Sequence, residues 1–251
     1  MARFVVGLAL AVACVDAGHA GVVIGGTRVV FPSGSRDVSL RVENKGEAPA
    51  LVQVWVDDGD ERSTPDTARA PFAITPPVFR IDAGRGHSLR IVYTGDTPPV
   101  DRETLFWLNV LEIPPKPEAG DGANVLQFAF RHRVKLMHRP VGLAVSPDKA
   151  ALQLTWSVSK NDDSQQLRVT NASPYVVSFN DVSLAGGDPR GAPVSLGGGM
   201  ALPGGLATFA LPRHPAPGAW HDIRFATIND YGAVVRQSVA FPAPAPPVVD
   251  D

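Results

Sequence analysis

The chain has 251 residues, a net charge of −2, 24 glycines, 24 prolines and a single cysteine. That length holds two domains of ordinary size or one large one, and the near-neutral charge excludes a general nucleic-acid binder. The Gly and Pro content, with recurring Val, Leu, Phe and Thr, suits many short strands joined by turns and does not suit long helices.

Residues 1–20 read as a secretory signal: Arg3 gives a positive start, Phe4 to Val15 an apolar core, and Gly18-His19-Ala20 a small-residue cleavage site. The apolar core is too short to span a membrane, and no later stretch approaches the ~20 apolar residues a span needs. The mature, exported chain is therefore expected to start at Gly21. Cys14 lies inside the signal, so this form has no thiol and no disulfide and must rely on its hydrophobic cores. A lipoprotein signal at Cys14 is the alternative, but Ala11-Val12-Ala13 fits it poorly.

From Gly21 the chain reads as strand after strand. Val22 to Phe31 is a first extended run, closed by Pro32-Ser33-Gly34-Ser35. Val38, Leu40 and Val42 alternate, and the run Leu51 to Val56 offers Trp55 as a large core filler. Asp57 to Ala70 is polar and turn-rich and reads as a loop. Strand-like runs flank Thr75-Pro76-Pro77, where neither proline can donate to a ladder. Leu89, Ile91 and Tyr93 alternate again, and Leu105 to Ile113 is a rich apolar strand. About seven strands in ~120 residues is the count and spacing of an immunoglobulin-like sandwich.

The stretch Gly122 to Pro140, GANVLQFAFRHRVKLMHRP, then stands out. Leu126, Phe128 and Phe130 alternate with Gln127, Ala129 and Arg131, and a basic run follows: Arg131, Arg133, Lys135 and Arg139, with His132 and His138 among them. From pattern alone the bland reading puts the apolar residues in the strand's own core and the basic ones on a solvated face. The basic end lies at an abrupt boundary near Arg139 to Leu143. Beyond it, strand-like runs resume at Leu152–Val158, Leu167–Thr170, Tyr175–Leu184, Ala207–Leu211, Ile223–Ile228 and Val234–Phe241, separated by breaks that include Gly197 to Met200. The organisation is thus a signal (1–20), one sandwich (21–140), a second, smaller β-sandwich (141–241) and a Pro-rich tail (242–251).

Catalytic motifs are absent: there is no GxSxG elbow, no phosphate-cradling glycine loop and no HExxH. The histidines show no metal-ligand spacing, and neither a metal nor a cofactor is expected. Asn171-Ala172-Ser173 fits a glycosylation sequon, a triplet common by chance.

The stretch ANVLQFAFRHRVKLMHRP resembles a segment of the periplasmic pilus-assembly chaperones of the chaperone–usher pathway, the PapD-like family. Further pieces resemble it in order: Gly26-Thr-Arg-Val-Val-Phe31, Thr75-Pro-Pro-Val-Phe-Arg80, Asp101-Arg-Glu-Thr-Leu-Phe-Trp107, Glu112-Ile-Pro-Pro115 and Ile228-Asn-Asp-Tyr-Gly232. Their joint occurrence across the mature chain is far more specific than any one of them. The resemblance implies an all-β fold of two immunoglobulin-like β-sandwich domains in an L. It also implies a periplasmic chaperone that lends a strand to pilus or fimbrial subunits and delivers them to an outer-membrane usher, without nucleotide, nucleic acid or membrane insertion.

By position, Leu126, Phe128 and Phe130 are the donor residues that fill the subunit's groove. The resemblance likewise implies that Arg28 and Lys135 hold the subunit's C-terminal carboxylate and that Glu103, Arg139 and Asp230 form an interdomain ion network. Strict alternation puts Lys135 on the face opposite Phe130, so either the strand bends or bulges to reach the cleft, or the cleft lies on that other face. The two phenylalanines stand where smaller aliphatic residues are common in the family, and imply roomy pockets in the partner. His138 stands where Tyr is usual; charging of His132 or His138 near pH 6 would make subunit binding pH-sensitive. The short, cysteine-free link from Pro114 to Asn124 resembles the short-loop branch of the family. The rival from another class is a secreted two-sandwich adhesin or pilus structural component. Whether the free protein self-associates over its exposed strand is left open by the residues.

Overall fold

The computed structural model describes residues 21–96, 99–115, 127–161, 164–186, 192–212 and 220–242. The first half holds β1 (Val22–Ile24), β2 (Arg28–Pro32), β3 (Val38–Asn44), β4 (Ala50–Asp57), β5 (Phe72–Thr75), β6 (Val78–Ile81), β7 (Gly86–Tyr93), β8 (Thr104–Ile113) and β9 (Phe130–Arg139). They form two sheets, ordered β1-β3-β7-β5 and β2-β9-β8-β4-β6. The inward residues of the alternating runs, Val42, Leu89 and Ile91 from one sheet and Val52, Leu108, Val110 and Leu136 from the other, are fully buried between them.

The expected single run from Val22 to Phe31 is divided. β1 pairs with β3 in one sheet, and β2 crosses to the other and pairs in parallel with β9. The switch falls at Gly25, whose N–H donates to the Arg41 carbonyl at 2.8 Å and where an added Cβ would stand 3.0 Å from that oxygen. A side chain here would have to push that carbonyl aside, so glycine suits the close approach. The Val22 N–H donates to the Glu112 carboxylate at 2.9 Å, which ties the start of β1 to the end of β8.

A 3₁₀ turn (Pro147–Gln153) opens the second half, followed by β10 (Leu154–Asn161), β11 (Ser164–Asn171), β12 (Val177–Gly186), β13 (Val194–Ala201), β14 (Leu206–Ala210), β15 (Trp220–Ile228) and β16 (Val234–Ala240). The sheets are β10-β11-β14 and β13-β12-β15-β16, packed around Leu167, Val169, Phe179, Val182, Leu184, Phe209, Ile223 and Phe225. The chain is therefore two all-β sandwiches. No helix among the described residues is long and apolar enough to cross a membrane.

One reading is corrected here. Gly197 to Met200, taken as a break, lies inside β13 and pairs with β12 across a register shift between Phe179 and Val182. A Cβ on Gly198 would sit 2.9 Å from the Phe179 carbonyl oxygen, and one on Gly199 would sit 3.2 Å from the Phe209 ring. The glycines mark a bulged strand pressed against its neighbours.

The two sandwiches repeat one device. Asn44 closes β3: its side chain donates to the carbonyls of Ala48 and Ile81 at 2.8 and 3.1 Å and accepts from the Gly46 N–H. Asn171 closes β11: its side chain donates to the carbonyls of Tyr175, Ala201 and Leu202 at 2.7, 3.1 and 3.1 Å and accepts from the Ser173 N–H. Asn171 is fully buried with its amide committed, so the sequon around it cannot present a glycan acceptor. Asn171→Ala should leave the buried carbonyls of Tyr175 and Ala201 short of a donor and cost about 2–4 kcal/mol, read by urea unfolding of the mature chain.

Candidate partner-binding strand and interdomain cleft

β9 decides the geometry. It pairs antiparallel with β8 in unbroken register, from Glu112 opposite Phe130 to Thr104 opposite His138. With no slip, its even-numbered side chains share one face, and Val134, Leu136 and His138 bury theirs in the sandwich. Arg131, Arg133, Lys135 and Arg139 take the outer face. Of the two alternatives for reaching the cleft, the strand does not bulge, and Lys135 meets the second domain on the face opposite Phe130.

On its other edge β9 pairs with β2 only from Lys135 to Arg139. Among the described residues, the edge of Phe130 to Val134 has no strand beside it. Phe130 is 58% exposed and Phe128, just before the strand, is 59% exposed, their rings 6.4 Å apart. Neither enters the core, contrary to the bland reading of the pattern. Leu126 lies outside the described residues.

The parallel register sets Arg28 of β2 beside Lys135 of β9. Arg28 is buried and donates from Nη1 to the Ile228 carbonyl of the second domain at 2.8 Å, while its Nε is buried with no partner among the described residues. Lys135 Nζ donates to Ser178 Oγ at 2.6 Å. Burial lowers the Lys135 pKa to about 8, with the Arg28 charge adding to the effect. Burial likewise lowers Arg28, against the pull of Asp230 and Glu103. Arg28, Tyr175, Ser178, Ile228 and Tyr231 help line a cleft of about 320 Å³ between the domains. Arg28 lines this cleft and stands in register with Lys135, which lies outside its lining; two cations side by side can attract an anion.

At its end β9 crosses into an ion-pair cluster. Arg139 donates from Nε to Glu103 at 2.5 Å, and its Nη1 and Nη2 donate to the two oxygens of Asp230 at 2.6 and 2.7 Å. Its guanidinium also lies 5.2 Å from the Tyr175 ring centre. Glu103 accepts the Val176 N–H at 2.7 Å and is buried. Burial pushes the Glu103 carboxyl up, although Arg139 and that N–H pull it down.

His138 stacks on Phe31 at 5.7 Å and lies 4.7 Å from the Tyr93 ring, 2% exposed. Burial lowers its pKa, so the aromatic surroundings disfavour the charged ring. Sequence reasoning missed Ser178, the Ile228 carbonyl and, above all, Asp57. That residue is fully buried and takes up Arg133, so the basic run is not a solvated cationic face. Trp55, expected as core filler, is buried, but beneath the Arg131 guanidinium, 4.8 Å from its ring centre, rather than in the apolar cluster between the sheets.

Residues 21–144 match the family described as the pili and flagellar-assembly chaperone PapD N-terminal domain, and residues 149–239 match the PapD C-terminal domain. The chain is 42% identical over 220 residues to the probable fimbrial chaperone YadV of Escherichia coli, covering 86% of this chain and 88% of the relative. It is 41% identical over 238 residues to the chaperone protein FimB/FhaD of Bordetella pertussis, covering 93% of each. Among solved structures, the chaperone in the complex of Salmonella enterica SafA pilin with SafB matches with a TM-score of 0.72 at 30% identity, covering 88% of this chain and 96% of that one.

Arg139→Ala should strand one buried and one half-exposed carboxylate near each other. The expected outcome is a loss of about 3–5 kcal/mol, lower yield and a broadened small-angle scattering envelope. Scattering and yield like the wild type would remove Arg139 from the control of domain orientation.

Proposed function

Because the chain belongs to the PapD family of pilus-assembly chaperones, we propose that it captures exported pilus subunits in the periplasm, completes their fold with the open edge of β9 and passes them to an outer-membrane usher. One observation carries this reading: a strand edge with no neighbour among the described residues, with Phe130 exposed on it and Phe128 exposed just before it, runs on to Lys135, which stands in register with Arg28 of the interdomain cleft. The edge offers backbone donors and acceptors to any strand, giving affinity that tolerates sequence change. Phe128 and Phe130, moved from water into a partner's groove, each contribute roughly 1.5–3 kcal/mol. Arg28 and Lys135 would take the subunit's terminal carboxylate in short charge-assisted bonds and set the register of the added strand.

The free energy of strand addition stabilises the subunit without nucleotide hydrolysis. The signal at residues 1–20 and the family's periplasmic role support the same compartment. The pilin complex of the SafB relative supports a subunit as partner. The adhesin alternative is set aside, because both halves of the chain match chaperone domains.

The test is a pull-down from periplasm with the tagged mature chain, wild type beside Lys135→Ala and Phe128→Ala, with bound proteins identified by mass. A small pilin-like partner held by the wild type, lost with Lys135→Ala and held about tenfold more weakly or worse with Phe128→Ala, is expected. A partner held equally by Lys135→Ala discards the carboxylate anchor and keeps the chaperone. No partner, with candidate subunits expressed alongside, refutes the reading.

The anchor also predicts a pH dependence. Lys135 titrates at about 8 when the cleft is empty, and a bound carboxylate raises that value. Affinity should be full below pH 8 and fall as pH rises through the bound-state pKa, a decline that Lys135→Arg would abolish.

A further inference from the structure

Among the described residues, the open half of β9 has a neighbouring strand on one side only, a situation in which a strand end ordinarily frays. Here its outer face is fastened. Asp57, the last residue of β4, is fully buried, and so is Asn109 of β8. The Asp57 carboxylate accepts from the Gly59 N–H at 2.8 Å, from Ser63 Oγ at 3.0 Å and from Asn109 Nδ2 at 2.7 Å. The first of these closes a tight turn in which Gly59 takes φ +120°, a conformation that favours glycine.

Both arginines of the open segment reach into this centre. Arg133 Nη2 donates to Asp57 Oδ1 at 2.7 Å, and its guanidinium lies 4.7 Å from the Trp107 ring centre. Arg131 donates from Nε and Nη2 to Asn109 Oδ1 at 2.9 and 2.7 Å and from Nη1 to the Glu61 carbonyl at 2.8 Å, and lies 3.6 Å from Asp57 Oδ2. Burial alone would raise the Asp57 carboxyl; the hydrogen bonds from Asn109, Gly59 and Ser63 and the Arg133 charge outweigh it and hold it below the usual range.

We propose that Asp57 is a positioning residue for subunit capture: through Arg131 and Arg133 it holds the open half of β9 extended before any partner arrives, with Phe130 presented on the opposite face. This rests on the chaperone reading and adds the group that prepares the strand. Alternation does the rest, since fixing residues 131 and 133 outward fixes 130 and 132 inward. A strand ordered in advance loses less conformational freedom when it adds to a partner, which favours both affinity and association rate. The 58–71 loop joins the clamp through Ser63 and the Glu61 carbonyl, so a segment that reads as a surface connection becomes part of the binding device.

The test uses the mature two-domain protein with Asp57→Asn and, in case that variant folds poorly, Arg131→Met, which leaves Asp57 paired to Arg133. Backbone hydrogen exchange of peptides covering 129–134 is compared with peptides covering β7 and β12. The expected result is exchange about tenfold or more faster in 129–134 alone, together with association about tenfold slower to the subunit recovered by the wild-type pull-down. Unchanged exchange in 129–134 with either folded variant overturns the proposal. Acceleration shared equally with β7 also overturns it, because that is what a general structural role would give. Exchange reads the clamp without a partner, and capture by the wild type reads the chaperone function, so the two failures are told apart.

Discussion

Everything distinctive in this protein depends on the unbroken register of β9 against β8. Since no residue is inserted or skipped between Phe130 and Arg139, each side chain's face is settled by whether its number is even or odd. Val134, Leu136 and His138 help close the first core; Phe130, on the same face, lies beyond β2's reach and stays in water. Backbone pairing has a matching discontinuity: β2 satisfies one edge of the strand's second half, and among the described residues the first half offers that edge unused. Core-forming and partner-seeking parts of the strand thus differ chiefly in whether a neighbour covers them.

The outer face treats like charges differently. Arg131 and Arg133 are taken up by Asp57, Asn109 and two tryptophan rings. Arg139 is held by Glu103 and Asp230. Between these neutralised groups, Lys135 and Arg28 stand side by side, and among the described residues their hydrogen-bond partners are a serine hydroxyl and a backbone carbonyl. Their mutual repulsion and burial cost are carried by the rest of the fold, and a bound carboxylate relieves both. Flanking cations that are already paired leave the cleft, rather than the strand's whole basic run, as the place where an anion gains most.

Much of this was legible in the sequence because alternation and turn chemistry are local signals. The strand series, the two-sandwich architecture and the apolar-to-basic change along residues 126–139 follow from period two and from Gly and Pro positions. What was hidden is non-local. Asp57 sits at the start of a polar stretch and reads as a loop residue; only the pairing of β4 with β8 and β8 with β9 brings Asn109 and the two arginines to it. The glycines at 197–199 read as a break because composition cannot tell a turn from a bulged strand lying against a phenylalanine ring. The division of Val22 to Phe31 between two sheets turns on one close backbone approach at Gly25, which no period reports.

The spacing along β9 has a consequence of scale. Lys135 lies five positions beyond Phe130, and at the rise of an extended strand that is about 17 Å. A rigid, unbulged strand therefore acts as a ruler laid between an apolar slot and an ionic stop. If Phe130 fills a partner's pocket and Lys135 holds its chain end, as proposed, the distance between those two features of a partner must match that length, and selection among exported chains would be made by measurement as well as by side-chain chemistry.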